Sequence, residues 1–437
     1  MKSSNYNFKF DFDESNKSLM YNSFTNSMAL IDNDKYDLFY SFCKGENKIE
    51  DTDLINNLLR GGFLVDDEFD ELKDIKLRLF KGRFHSSSLG LTIAPTSDCN
   101  FRCIYCYEKD VIKELHMTEN IQKKIIQFVM NYVGTINNLS VTWYGGEPLL
   151  GIDAIKTLSD QFLTICEENN ISYSAGIITN GYMLNRKNVE LLSDLKVSFY
   201  QITVDGNRNT HNERRPLING EGTFDKIINN MVECYDILPH VSLRINVDKS
   251  NISAGDEIVK LLTKKNLIEK VKPYLGKVTS DDDKSDICKQ CYSTNEFAVE
   301  DLRFSQNNSN NITWMSKYPD LKSNYCGADM INSFVINSDG SLYKCWNDIG
   351  QENKSIGNVC DELVIPKTSL LHNYLLYDPT EEKCKTCKLL PICMGGCPQS
   401  RLENKENCSV FKSAMNEYLA FTAKKIINER DKNQGEN

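Results

Sequence analysis

Between residues 89 and 278 the chain alternates short apolar runs of β-type residues with longer stretches whose apolar side chains recur every three to four positions. The runs 89–95, 139–144, 172–179, 197–204, 240–247 and 270–278 predict strands. Residues 118–133 carry Ile121, Ile125, Phe128, Val129 and Tyr132 at helical spacing behind a Thr118 cap, and 224–238 carry Ile227, Ile228, Met231 and Val232 similarly. Strand–helix alternation builds a parallel sheet. Six such units predict an α/β fold, a partial (β/α)6 TIM-like barrel over residues 86–280, with its site at the C-terminal ends of the strands.

The flanks read differently. Residues 8–12 and 19–30 predict short strands, and 36–43, 51–59 and 67–80 predict helices, with a Gly61-Gly62 break before Phe63-Leu64-Val65. A mixed segment of this size, residues 1–85, fits a small winged-helix-like domain. Residues 281–325 form a bridging region, acidic at its start, and 426–437 are a polar tail expected to fray. In the last third, Asp339-Gly340 between two β-type runs predicts a hairpin, with Gly340 at a left-handed turn position.

Composition narrows the class. At 437 residues the chain predicts two or three domains, and 40% apolar with 26% charged residues is a soluble, globular composition. A net charge of −10 argues against nucleic acid as a partner. No apolar run approaches the ~20 residues of a membrane span, and the N-terminus has no signal-peptide core. Sixteen cysteines in such a chain point to a reducing cytoplasm and metal ligation rather than disulfides. Cys43, Cys166 and Cys234, inside amphipathic patterns, are expected to be small buried residues.

The chemistry starts with Cys99-x3-Cys103-x2-Cys106, placed after the first barrel strand. Three thiolates on one loop suit three irons of a [4Fe–4S] cube and leave a fourth open to a ligand. Zinc would want paired half-sites closing a tetrahedron. This loop resembles the cluster site of radical S-adenosylmethionine (SAM) enzymes, where SAM chelates the open iron and is cleaved to a 5′-deoxyadenosyl radical. The resemblance makes Cys99, Cys103 and Cys106 the catalytic ligands and sets Tyr105 beside the adenine. It also assigns SAM contacts to Gly145-Gly146-Glu147-Pro148 after the second strand and to Asn180 after the third. Gln201, Thr203 and Asp205 share one face of the fourth strand by parity and would meet the ribose or substrate. Arg244 on the fifth strand suits the SAM carboxylate, or else a salt bridge inside the barrel. His211 to Pro216, a charged loop ending in proline, is a solvated connection or a substrate contact.

Seven later cysteines, Cys326, Cys345, Cys384, Cys387, Cys393, Cys397 and Cys408, are similar in order to the SPASM extension of radical SAM peptide-modifying enzymes, here residues 326–425. The resemblance implies two auxiliary [4Fe–4S] clusters, three in all. Cys384, Cys387, Cys393 and Cys408 would hold the outer one, and Cys326, Cys345 and Cys397 the inner, with Cys288, Cys291 or Cys360 available as a fourth ligand.

The implied function is a maturase that removes a hydrogen from a ribosomally made precursor peptide and installs a cross-link, a thioether foremost. Its partners would be a leader peptide bound by the N-terminal domain and an electron donor such as flavodoxin or ferredoxin. Alternatives with the same architecture are an anaerobic sulfatase-maturing enzyme, which generates formylglycine, and a peptide epimerase or carbon–carbon cross-linking enzyme. Sulfatase-maturing relatives carry an aspartate after the cysteine matching Cys345; here that position is Trp346, with Asp348 two residues on.

Overall fold

The computed structural model describes residues 1–12, 16–279, 289–309, 317–381, 383–405 and 408–435. Packing divides the chain into two compact units: Met1–Phe84 with Ser309–Cys326 and Leu376–Asn437, and His85–Asn308 with Gly327–Leu375.

The first unit begins with β1 (Lys2–Ser3), then an antiparallel meander of β2 (Asn7–Phe12), β3 (Lys17–Asn22) and β4 (Ser27–Asp32). Helices α1 (Asn33–Cys43) and α2 (Thr52–Arg60) follow, then β5 (Leu64–Val65), which pairs with β1, and α3 (Glu71–Arg83). Asp51 and Asp70 cap α2 and α3, their carboxylates accepting the Leu54 and Lys73 backbone N–H groups at 2.9 and 3.1 Å. Phe12, Leu19 and Tyr21 share a core with Leu389, Ile392, Met415 and Leu419, so segments far apart in sequence form one body. Cys43 is exposed at the end of α1, contrary to its expected burial, whereas Cys166 and Cys234 are buried. Its position closes the last turn, where the amphipathic pattern no longer points inward.

The second unit is the expected parallel sheet. Strands β6 (Ser88–Ile93), β7 (Asn138–Trp143), β8 (Ser172–Thr179), β9 (Val197–Thr203), β10 (Val241–Val247) and β11 (Val271–Lys277) are neighbours in consecutive order, all parallel. Helices α4 (Glu119–Met130), α5 (Ile152–Glu168), α6 (Arg186–Asp194), α7 (Arg208–Arg214), α8 (Phe224–Glu233) and α9 (Ala254–Lys264) fall between them. An apolar stripe sets the others while α7 buries only His211 and Arg214: α5 buries Ala154, Ile155, Leu158, Phe162 and Ile165, and each large side chain so buried contributes about 1.5–3 kcal/mol. Thr118 caps α4 by accepting the Ile121 N–H.

The hairpin around Gly340 forms from β12 (Ser333–Ile336) and β13 (Ser341–Tyr343), with Gly340 at φ +84°. Its placement was not legible in the sequence. β12 runs parallel to β6, Phe334 opposite Leu91, and β14 (Gly357–Asn358) completes a nine-stranded sheet. Among the described residues no helix is long and apolar enough to cross a membrane.

Candidate active site

The loop after β6 carries Cys99, Cys103 and Cys106, all partly buried. It is held as one edge of a short antiparallel ribbon. The Ile218 N–H donates to Asn100 O at 3.0 Å, Arg102 N–H to Pro216 O at 2.9 Å and Ile104 N–H to Arg214 O at 3.0 Å, with Phe101 opposite Leu217. Segment 211–216, read from sequence as a loop, instead begins inside α7, and residues 214–218 at and beyond its end brace the cysteine loop.

Burial raises the pKa of all three thiols. For Cys99 the neighbouring Glu147 carboxylate and the other two thiols add to it. Cys103 is raised by burial against the opposing Arg215 charge. Cys106 is pushed up to about 11 by burial, with Cys103 and Glu108 adding. Three thiols within electrostatic range of one another, desolvated and costly to ionise alone, suit a cationic iron centre that displaces their protons. Burial alone lifts Glu108, beside them, to about 7.

Gly145 and Gly146 lie against this loop. Gly145 sits at φ +100°, and a Cβ there would come within 2.7 Å of Ala94 Cβ and Thr96 O; one at Gly146 would meet Asp98 O at 2.2 Å. Only glycine permits that approach. Glu147 is fully buried, and its carboxylate is occupied. It accepts from the Thr179 hydroxyl at 2.7 Å, Asn180 N–H at 2.8 Å and Leu149 N–H at 3.0 Å, while Glu147 N–H donates to Asp98 O at 2.8 Å. Burial raises its pKa against the pull of those donors. Glu147 thus ties the ends of β7 and β8 to the cysteine loop, and Pro148 opens the turn Pro148–Gly151. Asn180 extends the tie, its amide donating to Asn100 Oδ1 at 2.8 Å.

Tyr105 is held through its hydroxyl, which donates to Asp205 and accepts from Arg215 Nη1 at 2.7 Å and Asn246 Nδ2 at 3.0 Å. Asp205, fully buried just beyond β9, also accepts the Asn246 N–H at 3.1 Å. Arg214 pairs with Asp248 at 2.8 Å and lies over the Tyr105 ring, 5.1 Å from its centroid. His211 Nδ1 accepts the Asp205 N–H at 3.1 Å. Its Nε2 lies 3.0 Å from the Thr223 hydroxyl, which itself donates to Arg215 O, so the partners assign a neutral Nε2–H tautomer. Burial, then Arg215 and Arg214, hold its pKa well below the usual histidine value. Sequence reasoning gave no role to Asn246 or Asp248, and took Arg214 and Arg215 only as part of a loop that was a connection or a substrate contact; the paired arginines before a proline were the visible signal.

On the strands, Gln201 accepts the Tyr274 hydroxyl at 2.8 Å and Thr203 is buried. Arg244 Nε donates to Asn246 Oδ1 at 2.7 Å. Among the described residues it makes no ion pair, so the salt-bridge alternative is not what the barrel contains. Gly276 leaves it room, since a Cβ there would lie 2.6 Å from Arg244 Nε.

Cys345 follows β13 in this unit, and Trp346 stacks on Tyr144, whose hydroxyl meets that of Tyr107. Asp348 is buried, accepts the Tyr374 hydroxyl at 2.7 Å and pairs with Lys354 at 3.2 Å. Cys360 is exposed and Cys291 partly buried; Cys288 lies outside the described residues. In the other unit, Cys384 is raised by burial and then by Cys387, Cys393 and Cys408, so these four lie within electrostatic range. Cys326 and Cys397 belong to that unit too.

Residues 93–262 match the Radical SAM superfamily. A cysteine-type anaerobic sulfatase-maturating enzyme of Clostridium novyi is 26% identical over 356 residues, 75% of this chain and 94% of the relative. The structure of native anSMEcpe with bound AdoMet and Kp18Cys peptide superposes at a TM-score of 0.59 with 19% identity, covering 79% of this chain and 99% of that one. Streptococcus suis SuiB bound to precursor peptide SuiA gives 0.54 with 15% identity, covering 92% and 97%.

Proposed function

We propose that this chain, a radical SAM enzyme, is a maturase that oxidises a peptide or protein substrate, with Cys99, Cys103 and Cys106 holding the SAM-binding cluster. The observation that carries this is the three-thiol loop at the C-terminal rim of the sheet, pressed against Gly145-Gly146. When bound, a [4Fe–4S] cluster and SAM supply a one-electron reduction that releases a carbon radical able to take hydrogen from an unactivated C–H bond.

The protein's part is to place and to shield. Glu147, Asn180 and the ribbon to residues 214–218 hold the loop rigid, leaving backbone at Gly145-Gly146 free to meet the SAM amino group. Arg244 would take the SAM carboxylate, for which its unpaired guanidinium is suited. Buried walls at Thr203, Asp205 and Asn246 keep water from the reacting carbon. In the other unit, Cys384, Cys387, Cys393 and Cys408 would hold an auxiliary cluster.

For the substrate, resemblance along 94% of a sulfatase-maturating relative favours formylglycine generation on a protein cysteine over the thioether chemistry expected first. The second reading, a maturase that cross-links a precursor peptide, a thioether foremost, keeps one support in the site, Trp346 in place of an acid with Asp348 already engaged; SuiB, solved with a precursor peptide and covering 92% of this chain, speaks for a peptide substrate and not for the bond formed. Edge strands β2 and β4 would offer a leader peptide an added strand. Anaerobic reconstitution with SAM and a reductant, with 5′-deoxyadenosine measured alone, with a sulfatase-motif cysteine peptide and with a neighbouring small open reading frame's product, tests this. No 5′-deoxyadenosine in any arm sinks the proposal. Formylglycine or a cross-link in the product, read by mass spectrometry, chooses between the two readings.

A further inference from the structure

The ribbon that braces the cysteine loop also fixes a pair of side chains. With Phe101 opposite Leu217 and the N–H groups of Arg102, Ile104 and Ile218 donating across, the register puts Cys103 directly opposite Arg215. Arg215 caps the end of α7 there, and its charge lies within electrostatic range of the Cys103 thiol. Pro216 has no N–H to give the remaining bond, so this end of the ribbon is held from one side only.

Arg215 is buried at 8% exposure. Its Nη1 donates to the Tyr105 hydroxyl at 2.7 Å, and its guanidinium lies over Phe101, 5.7 Å from the ring centroid. Its Nε is buried with no hydrogen-bond partner, and among the described residues Arg215 makes no ion pair. The adjacent Arg214 contrasts with it, being neutralised by Asp248 at 2.8 Å and Asp205 at 3.5 Å. The Asp205 and Glu147 carboxylates lie within electrostatic range but form no ion pair with it, and a buried cation so incompletely compensated is costly. What would offset it is a negative group on its Cys103 side. A thiolate-ligated iron–sulfur cluster is such a group, and its charge becomes more negative by one on reduction.

We propose that Arg215 is a positioning residue that presents a fixed positive charge to the Cys103 side of the cluster and stabilises its reduced form before SAM binds. The inference rests on the reading of Cys99, Cys103 and Cys106 as cluster ligands. Cluster potentials follow local charge, hydrogen bonding to sulfur and solvent exposure, and this guanidinium is placed to act on the first, since its charge already reaches Cys103. Arg102 is the internal contrast: also on the loop, but exposed and bonded to the Cys99 and Phe101 carbonyls, its charge is screened by water.

The test is a reductive titration of the anaerobically reconstituted full chain, followed by electron paramagnetic resonance. The signal that changes when SAM is added identifies the cluster, and its reduction is then measured without SAM. At the potential that half-reduces the wild-type cluster, Arg215→Gln should lower the reduced-to-oxidised ratio by about tenfold or more. Arg215→Lys, which keeps the charge, should stay within about threefold, and Arg102→Gln should not move it. If Arg215→Gln assembles no cluster but Arg215→Lys does with a near-wild-type ratio, the charge is again the cause. An unchanged ratio in Arg215→Gln overturns the proposal. So do an equal shift in Arg102→Gln, loss of the cluster in both Arg215 variants, and a shift seen only once SAM is present, which would give the guanidinium to the SAM carboxylate. A wild-type protein with no SAM-responsive signal would instead refute the cluster reading itself.

Discussion

The indole of Trp346 lies against the ring of Tyr144, with centroids 5.6 Å and planes 22° apart. Tyr144 immediately precedes Gly145-Gly146, and Trp346 immediately follows Cys345, so the stack connects the rim of the sheet to the first cysteine after the hairpin. Trp346 remains 45% exposed, leaving a large apolar face uncovered. Trp346→Ala is expected to lose about 0.5–1.5 kcal/mol of aromatic pairing and to raise the KM for a peptide substrate, while 5′-deoxyadenosine still forms without product. Chromatography of both products checks this; a matched fall of the two would show that the stack serves SAM cleavage rather than the substrate.

Glu147→Gln should destabilise the sheet unit by about 1–3 kcal/mol, because an amide would turn an N–H group toward a buried donor that now has an acceptor. Thr179→Val, which removes one of those donors, should cost less. Denaturant unfolding of the two variants is the comparison, and a Glu147→Gln loss no larger than that of Thr179→Val would contradict the tie described for this carboxylate.

His211 gives the sheet unit a pH dependence. Its folded-state pKa lies below the unfolded value of about 6.5, so the unfolded chain binds the extra proton. Stability is complete above about pH 6.5 and falls as pH drops below it, by no more than about 1.4 kcal/mol per pH unit for this one group. His211→Gln should be less stable at neutral pH yet show a flatter profile between pH 6.5 and 5. A profile as steep as the wild type would place the proton elsewhere.

Gly276→Ala should displace the Arg244 guanidinium, since the new Cβ would stand 2.6 Å from Nε. Binding of SAM, measured by equilibrium dialysis on the reconstituted protein, should weaken by about tenfold, the usual size of one lost charge-assisted contact. Unchanged binding would remove Arg244 from the SAM site.

Cys103→Ala should abolish SAM cleavage, whereas Cys387→Ala should lose one cluster's iron, retain some cleavage and lose the modified product. Iron content and 5′-deoxyadenosine yield distinguish the two. Total loss of cleavage in both would argue against separate roles for the barrel loop and the C-terminal cysteines.

Much of the site was legible because its chemistry is local. The x3 and x2 spacing at Cys99–Cys106, Gly145-Gly146 and the Asp339-Gly340 turn each state a requirement within a few residues. Glu147 was legible as part of the rim, but its task was not. A carboxylate that accepts from Thr179 and Asn180 looks the same in sequence as one that waits for a ligand. Trp346 was noticed as a departure, yet its partner Tyr144 stands some two hundred positions earlier.

The residue order alone determined the six parallel strands, helices α4 and α8 and the loop on which the thiols sit, because periodicity and turn chemistry act between near neighbours; α7, which has no apolar period, was read as loop. Tertiary structure alone decided that β12 extends the sheet beside β6, that the N-terminal strands share a core with the segment around Leu419, and that Arg215 stands across from Cys103. Those are pairings between distant segments. Their selection depends on which surfaces bury each other and which backbone donors find acceptors, quantities that no short window of sequence contains.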